Sequence, residues 1–422
     1  MANLATTLRA FQSRNYRLFF SGQGVSLIGT WMTRLAMSWL VYRLTGSAVL
    51  LGITGFTSQI PAFILGPIVG VWLDRWNRHR VIVILQTVSM LQSFALAALA
   101  LSGVITVWEI IALSLLQGIV NAFEIPARQS FVVQMVEKRE DLANAIAINA
   151  SMVNAARLVG PAIAGMLVAT VGEGYCFLID GISYIGVIVG LLMMDITRRQ
   201  PQNPRRHPMH ELAEGWRYVI GSAAIRSLLI NLGLVSLFAM PYSVLLPIFA
   251  KEVLHGNANT LGFLSAASGV GALVGTVTLA MRTSVVGLLR VISVATALCG
   301  IALVFFGMST NLWLSLLLMA LLGFGMMQQM APSNTVLQTV VDDEKRGRVM
   351  AFYSMAFQGM APFGSLFAGN LAAHIGAPKT VVISGLGCMV ASLLFTRNLK
   401  AMRDVVRPIY RKMGILPEET GA

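Results

Sequence analysis

Twelve stretches of this chain are apolar for long enough to cross a bilayer, and this fixes the class of fold before any single residue is considered. A spanning helix needs about 20 predominantly apolar residues. The stretches run over roughly 17–43, 47–73, 81–102, 106–127, 145–171, 175–196, 226–251, 259–281, 287–307, 311–334, 349–374 and 379–397. Inside hydrocarbon every backbone N–H and C=O must be paired within its own segment, so each stretch is expected to be an α-helix. The expectation is an all-α membrane protein with twelve transmembrane helices. A composition 56% hydrophobic and 12% charged agrees, because a soluble domain of this size needs a charged surface.

The net charge of +13 would point to nucleic acid in a soluble protein. Here topology accounts for it. With the N-terminus in the cytoplasm and the chain alternating sides, all but five of the 31 Lys and Arg fall in cytoplasmic segments. The exceptions are Arg34 and Arg157 inside spans, and Arg43, Lys251 and Lys379 on the far side. This is the positive-inside rule, and it predicts a multi-pass protein of the bacterial cytoplasmic (inner) membrane with both termini cytoplasmic. The expected macromolecular partner is the lipid bilayer, not nucleic acid. Residues 1–16 are polar and basic and do not read as a signal peptide. Cys176, Cys299 and Cys388 lie within apolar segments, without a CxxC spacing or a neighbouring His. They read as small buried residues, and no metal or cofactor is expected. The chain has no phosphate-binding Gly-Lys-Ser loop and no HExxH, so it does not read as an enzyme, and no catalytic residue is assigned.

The twelve stretches fall into two sets of six. The expected division is 1–196, a polar, basic, proline-rich linker at 197–225 with a short surface helix from Met209 to Val219, a second set at 226–399, and a cytoplasmic tail at 400–422. The halves repeat. Span 5 carries Gly160-Pro161-x3-Gly165-x6-Gly172, and span 11 carries Gly364-Ser365-x3-Gly369-x6-Gly376. Two pseudo-symmetric six-helix bundles suit alternating access around a site near the midplane; an idle duplication is the alternative.

Between spans 2 and 3 lies Gly70-Val-Trp-Leu-Asp74-Arg75-Trp-Asn-Arg78-His-Arg80. Gly70 permits close helix approach. Asp74 suits a helix N-terminus, where the dipole favours an anion. Arg75, Arg78 and Arg80 mark the cytoplasmic side. The arrangement is that of a hinge loop between moving helices. Asp74 is expected to cap span 11 near Gly347–Met350, with Arg75 or Arg78 meeting Asp342, Asp343 or Glu344.

This loop resembles the signature of the major facilitator superfamily, Gly-x-Leu-x-Asp-Arg-x-Gly-Arg. Gly70, Asp74, Arg75 and Arg78 are in place. Trp72 stands where Leu is usual, and Asn77, a residue type that tolerates a left-handed turn, where Gly is usual. Helix count and internal repeat match as well, over about residues 10–400. Gly29-Thr-Trp31, Trp39 to Ser47, Pro126-Ala-Arg128, Asn149 to Gly165 and Phe177-x-x-Asp180-x-x-Ser-Tyr184 are similar to the branch containing the enterobactin exporter and the macrolide efflux pumps. The resemblance implies the major facilitator fold, a monomer, and export. Of the superfamily's antiporter motif only Gly160-Pro161-x-x-Ala-Gly165 is present, with Arg157 in its middle.

Charges inside hydrocarbon cost roughly 2.5–3.5 kcal/mol each, so they need reasons. On span 4, Glu124 and Arg128 share a face at i, i+4, with Asn121 a turn earlier. Glu124 is a candidate proton carrier, or simply the ion-pair partner of Arg128. Asp180 on span 6 is the second proton candidate, or a structural partner of Arg34 on span 1. Arg157 could meet an anionic substrate, snorkel, or pair with Glu124. The second half has no deeply embedded carboxylate. Its Gln328, Gln329 and Gln358, with Asn121 of the first half, are candidate substrate-cavity residues; Gln328 and Gln329 could instead be interhelical glue. Methionines and aromatics on spans 10 and 11, among them Met326, Met327, Met355 and Phe357, would make an adaptable apolar wall.

The functional expectation is a secondary active transporter: a proton-coupled exporter of a hydrophobic or amphiphilic small molecule, either a siderophore or a drug. A lysophospholipid transporter or flippase is the alternative, and a transport-dead sensor or scaffold is disfavoured by the retained hinge motif.

Overall fold

A computed structural model describes residues 9–136, 138–195, 208–282 and 284–413. Within helices, the side chains of Pro67, Ile68, Gly70, Val71, Asp74, Arg75, Arg139, 208–213, Asp343, Glu344 and Lys412 lie outside that description. The described residues form fifteen α-helices and no strand.

In the first half, α1 is Arg14–Thr45, α2 Ala48–Arg75, α3 Arg78–Leu101, α4 Val107–Met135, α5 Leu142–Thr170 and α6 Glu173–Leu192. The linker helix α7 is Pro208–Gly221. Then follow α8 Ala223–Phe238, α9 Tyr242–Ile248 and a π-helical turn Phe249–Val253. The chain continues with α10 Ala258–Ala280, α11 Leu288–Met308, α12 Leu312–Val340, α13 Asp343–Ile375, α14 Ala377–Arg397 and α15 Leu399–Lys412.

Among the described residues, ten helical segments are long and apolar enough to cross a membrane, with mean hydropathies of 1.5 to 2.3 over an 18-residue window. One of them, Ala223–Val253, joins α8, α9 and the π turn. α1 and α13, of 32 and 33 residues, bring the long helical segments to twelve. Their hydropathy is lower because they carry Arg14, Arg17, Gln23 and Arg34, and Lys345, Arg346, Arg348 and Gln358.

Helix ends follow local chemistry. Asn311 caps α12 by accepting from the backbone N–H of Trp313 (2.9 Å) and Leu314 (3.2 Å). Asn77 caps α3 by accepting from Arg80 N–H at 3.2 Å. The left-handed turn that Asn77 would tolerate is not adopted: its φ is −71°. The final glycines of the repeated motif have one shared role. Gly172 and Gly376 sit at φ 94° and 87°, ending α5 and α13 and starting α6 and α14. A side chain is strained there, so both halves keep Gly.

The seventh expected span is broken. Pro241 and Pro247 withhold backbone donors, and the chain passes through α8, the short α9 and the π turn rather than one straight helix. The expected tail at 400–422 begins as a helix, α15, whose Met402, Val406 and Tyr410 are buried in a core with Leu228, Ile292, Leu337 and Phe395. That i, i+4, i+8 spacing is readable in the sequence.

Polarity is inverted relative to a soluble fold. Ile64, Ile84, Leu91, Ile119 and Val294 face outward, while Gln23, Gln86, Gln92, Ser93, Asp180 and Asn231 are buried. Trp72 and Trp76 at the end of α2 stack with Phe123 of α4, with ring centroids 5.9 to 6.5 Å apart. Such part-exposed indoles suit a membrane interface, which gives Trp72 a physical role at the position where the superfamily motif usually has Leu.

Two compact units emerge: Met1–Arg205 with Val244–Gly269, and Arg206–Ser243 with Val270–Ala422. The sequence division assigns 244–269 to the second half, whereas packing assigns it to the first unit. The reason is close contact: a β-carbon on Gly165 of α5 would fall 2.9 Å from Gly262 Cα of α10, and Tyr42 of α1 donates to Glu252 in the π turn.

Candidate functional site

The first unit holds a polar interior built from α1, α3, α4, α5 and α6. At its centre Asp180 of α6 is almost wholly buried. Thr33 Oγ1 from α1 and Ser93 Oγ from α3 both donate to Asp180 Oδ2, each at 2.9 Å. Asp180 Oδ1 has no hydrogen-bond partner among the described residues. A β-carbon on Gly29 would lie 2.6 Å from that oxygen, so Gly29 makes room for the carboxylate. One turn on, Tyr184 OH and Thr30 Oγ1 are 3.2 Å apart.

The expected ion pair between Asp180 and Arg34 is not formed within 4 Å among the described residues. Arg34 instead lays its guanidinium over Trp31, with Cζ 4.9 Å from the ring centroid, and remains exposed. Arg157 of α5 approaches the same indole at 5.9 Å. Arg34 is within electrostatic reach of Glu124, Asp180, Tyr184 and Arg157.

Glu124 and Arg128 of α4 do pair, Oε1 to Nε at 3.7 Å, with side chains 14% and 13% exposed. Gln86 Nε2 of α3 donates to the same Glu124 oxygen at 3.3 Å. Gln117 Nε2 of α4 donates to Asn121 Oδ1 (3.2 Å) and Ser89 Oγ of α3 (3.3 Å), a separate set of polar contacts on the same two helices.

The α5 motif is a packing device. A β-carbon at Gly160 would sit 2.6 Å from Trp31 Cβ, and Pro161 and Gly165 meet Gly262 backbone to backbone. Spans 5 and 8 therefore touch.

In the second unit Gln328 donates to Gly275 O (3.2 Å) and Thr278 Oγ1 (2.7 Å), tying α12 to α10. Gln329 is buried with its Nε2 unpartnered among the described residues, and Gln358 is exposed. A groove of about 500 Å³ runs between α10, α11 and α12, lined by Val291, Val294, Leu298 and Phe324, with Arg282 and Arg290 also lining it.

Of the hinge motif, Gly70, Asp74 and Arg75 lie outside the described side chains, as do Asp343 and Glu344; Arg78 is half-buried at the start of α3. The linker helix packs on the start of α13: Arg348 Nη1 meets Glu214 Oε2 at 2.6 Å, Tyr218 OH donates to Asp342 Oδ2 at 3.5 Å, and Lys345 Nζ lies 4.5 Å from the Tyr218 ring.

Sequence reasoning missed Thr33, Gln86, Ser89 and Ser93. The signal was present on span 3, where Gln86, Ser89, Gln92 and Ser93 recur at helical spacing and put one polar stripe on an otherwise apolar helix.

Residues 5–407 match the family model described as transmembrane secretion effector. The chain belongs to this family of the major facilitator superfamily. Members and neighbours agree with that assignment. The chain is 26% identical over 390 residues to a staphyloferrin A transporter of Staphylococcus aureus, covering 91% of this chain and 97% of that one. It is 21% identical to macrolide efflux protein A of Streptococcus pyogenes, covering 88% and 93%. It is 25% identical to the enterobactin exporter EntS of Citrobacter koseri, covering 93% and 94%. Among solved structures, a bacterial homologue of the iron transporter ferroportin superimposes with a TM-score of 0.71 at 15% identity, covering 91% of this chain and 98% of that one. The protein is a multi-pass transporter of major facilitator type.

Proposed function

We propose that the protein exports a hydrophobic or amphiphilic small molecule, a siderophore or a drug, from the bacterial cytoplasm across the inner membrane by alternating access, driven by inward proton flow. It works as a monomer in the bilayer with both termini cytoplasmic. The relatives that transport staphyloferrin A, enterobactin and macrolides support the cargo class.

The observation that carries proton coupling is Asp180. Among the described residues its carboxyl is held by two hydroxyls and no cation, and one oxygen is left open. A hydroxyl can donate to a carboxylate or accept from a carboxylic acid. Asp180 can therefore gain and lose a proton without breaking an ion pair. Glu124, already engaged by Arg128 and Gln86, is the weaker candidate.

The test is flux of labelled siderophores and macrolides from proteoliposomes across an imposed pH step. Proton-driven export requires flux to rise with the gradient and to collapse when an ionophore removes it. Gradient-independent flux of every compound would exclude it.

The groove between α10, α11 and α12 favours a second reading. Its apolar walls suit an acyl chain, and Arg282 and Arg290 suit a phosphate. Under this reading the cargo is a lysophospholipid, which would move between leaflets with no pH gradient imposed.

A further inference from the structure

Two guanidiniums converge on one indole in the first unit. Arg34 and Arg157 come within 4.9 and 5.9 Å of the Trp31 ring centroid. They come from different helices, α1 and α5, and Gly160 makes the meeting possible. A β-carbon there would strike Trp31 Cβ and the backbone of Ile28, so any larger residue would push α5, and Arg157 with it, away from the indole.

Neither guanidinium has a carboxylate within 4 Å among the described residues. The nearby acids are engaged elsewhere: Glu124 by Arg128 and Gln86, Asp180 by Thr33 and Ser93. Arg34 lies within electrostatic reach of Arg157, which repels it, and of Glu124 and Asp180, which attract it without forming an ion pair. Two unpaired like charges in membrane-spanning helices are an unfavourable arrangement that an anion would relieve. The guanidinium fork matches a planar pair of anionic oxygens, and the indole offers a face for a flat apolar body.

We propose that Arg34 and Arg157, braced on Trp31, form an anion-binding subsite, and that the exported substrate carries a carboxylate or similar paired-oxygen anion on an apolar body. The inference rests on the exporter reading and narrows its cargo.

The test uses the full chain in phosphatidylcholine nanodiscs with tritiated 2-naphthoate and its neutral isostere 2-naphthamide. Expected is saturable naphthoate binding, about tenfold or more tighter than the amide. Arg34→Gln and Arg157→Gln should each collapse that acid-over-amide preference, and the Lys variants should restore part of it. Equal binding of acid and amide, no saturable binding of either, or an unchanged preference in both Gln variants overturns the subsite. So does displacement of naphthoate by 20% phosphatidylglycerol, which would assign the site to a lipid headgroup. Size-exclusion profiles and thermal unfolding check that the variants are folded. The parent reading fails separately. Naphthoate binding with no gradient-driven flux of any compound removes the exporter and leaves the subsite. Gradient-driven efflux of a neutral macrolide without acid preference removes the subsite and leaves the exporter.

Discussion

Gly165 of α5 and Gly262 of α10 touch backbone to backbone: a β-carbon on Gly165 would lie 2.9 Å from Gly262 Cα, and one on Gly262 would lie 2.9 Å from Gly165 Cα. Close approach through paired small residues is how helices hold together where lipid removes the hydrophobic drive. Gly165→Val should cost about 1–3 kcal/mol through overpacking. It should lower the unfolding temperature of the purified protein and reduce flux. Gly262→Val should do the same, and the double variant should be less than additive because one contact is lost twice. Full additivity would mean that the two residues do not share a contact.

Asp180→Asn keeps an acceptor for Thr33 and Ser93 but removes the titrating proton. The expected outcome is a folded protein that exchanges substrate across the membrane without a gradient and no longer accumulates it against one. Glu124→Gln should retain gradient-driven transport at a reduced rate. If the two phenotypes are reversed, Glu124 is the carrier.

The bond between Tyr42 OH and Glu252 joins α1 to the π turn. A hydrogen bond to a charged group contributes about 1.5–3 kcal/mol at most, and exposure of Glu252 reduces this. A double-mutant cycle with Tyr42→Phe and Glu252→Gln should give a coupling of ~1 kcal/mol in thermal unfolding. A coupling near zero would show that the contact is incidental.

Met402 is fully buried where α15 meets the second unit's core. Met402→Asp places an unpaired charge there and should destabilise by about 3 kcal/mol or more. Lys400→Asp, on the outer side of the same helix, should change stability by less than ~0.5 kcal/mol. Circular dichroism melts of both variants decide whether α15 is part of the fold or an independent tail.

The legibility of this chain divides by length scale. Span count, the charge bias, the linker helix and the repeated glycines were all readable, because each is a property of a contiguous segment. Gln86, Ser89, Gln92 and Ser93 were also readable as a polar stripe but carry no motif. The Asp180–Arg34 pairing expected from burial cost gave way to hydroxyl donors from Thr33 and Ser93, residues whose small polar groups leave little trace in hydropathy. The break at Pro241 was written in the sequence, yet apolarity across 226–251 concealed it.

By itself the sequence determined that this is a bundle of long apolar helices with two related halves, since hydrocarbon permits its spanning segments no other backbone structure. It also determined which rare charges needed partners. Only the tertiary structure decided who those partners are, and that Val244–Gly269 packs with the first unit. An all-apolar helix has no strongly preferred face, so its rotation is set by where neighbouring backbones can come closest. That is fixed by small residues such as Gly160, Gly165 and Gly262, which become legible only once the opposing helix is in view.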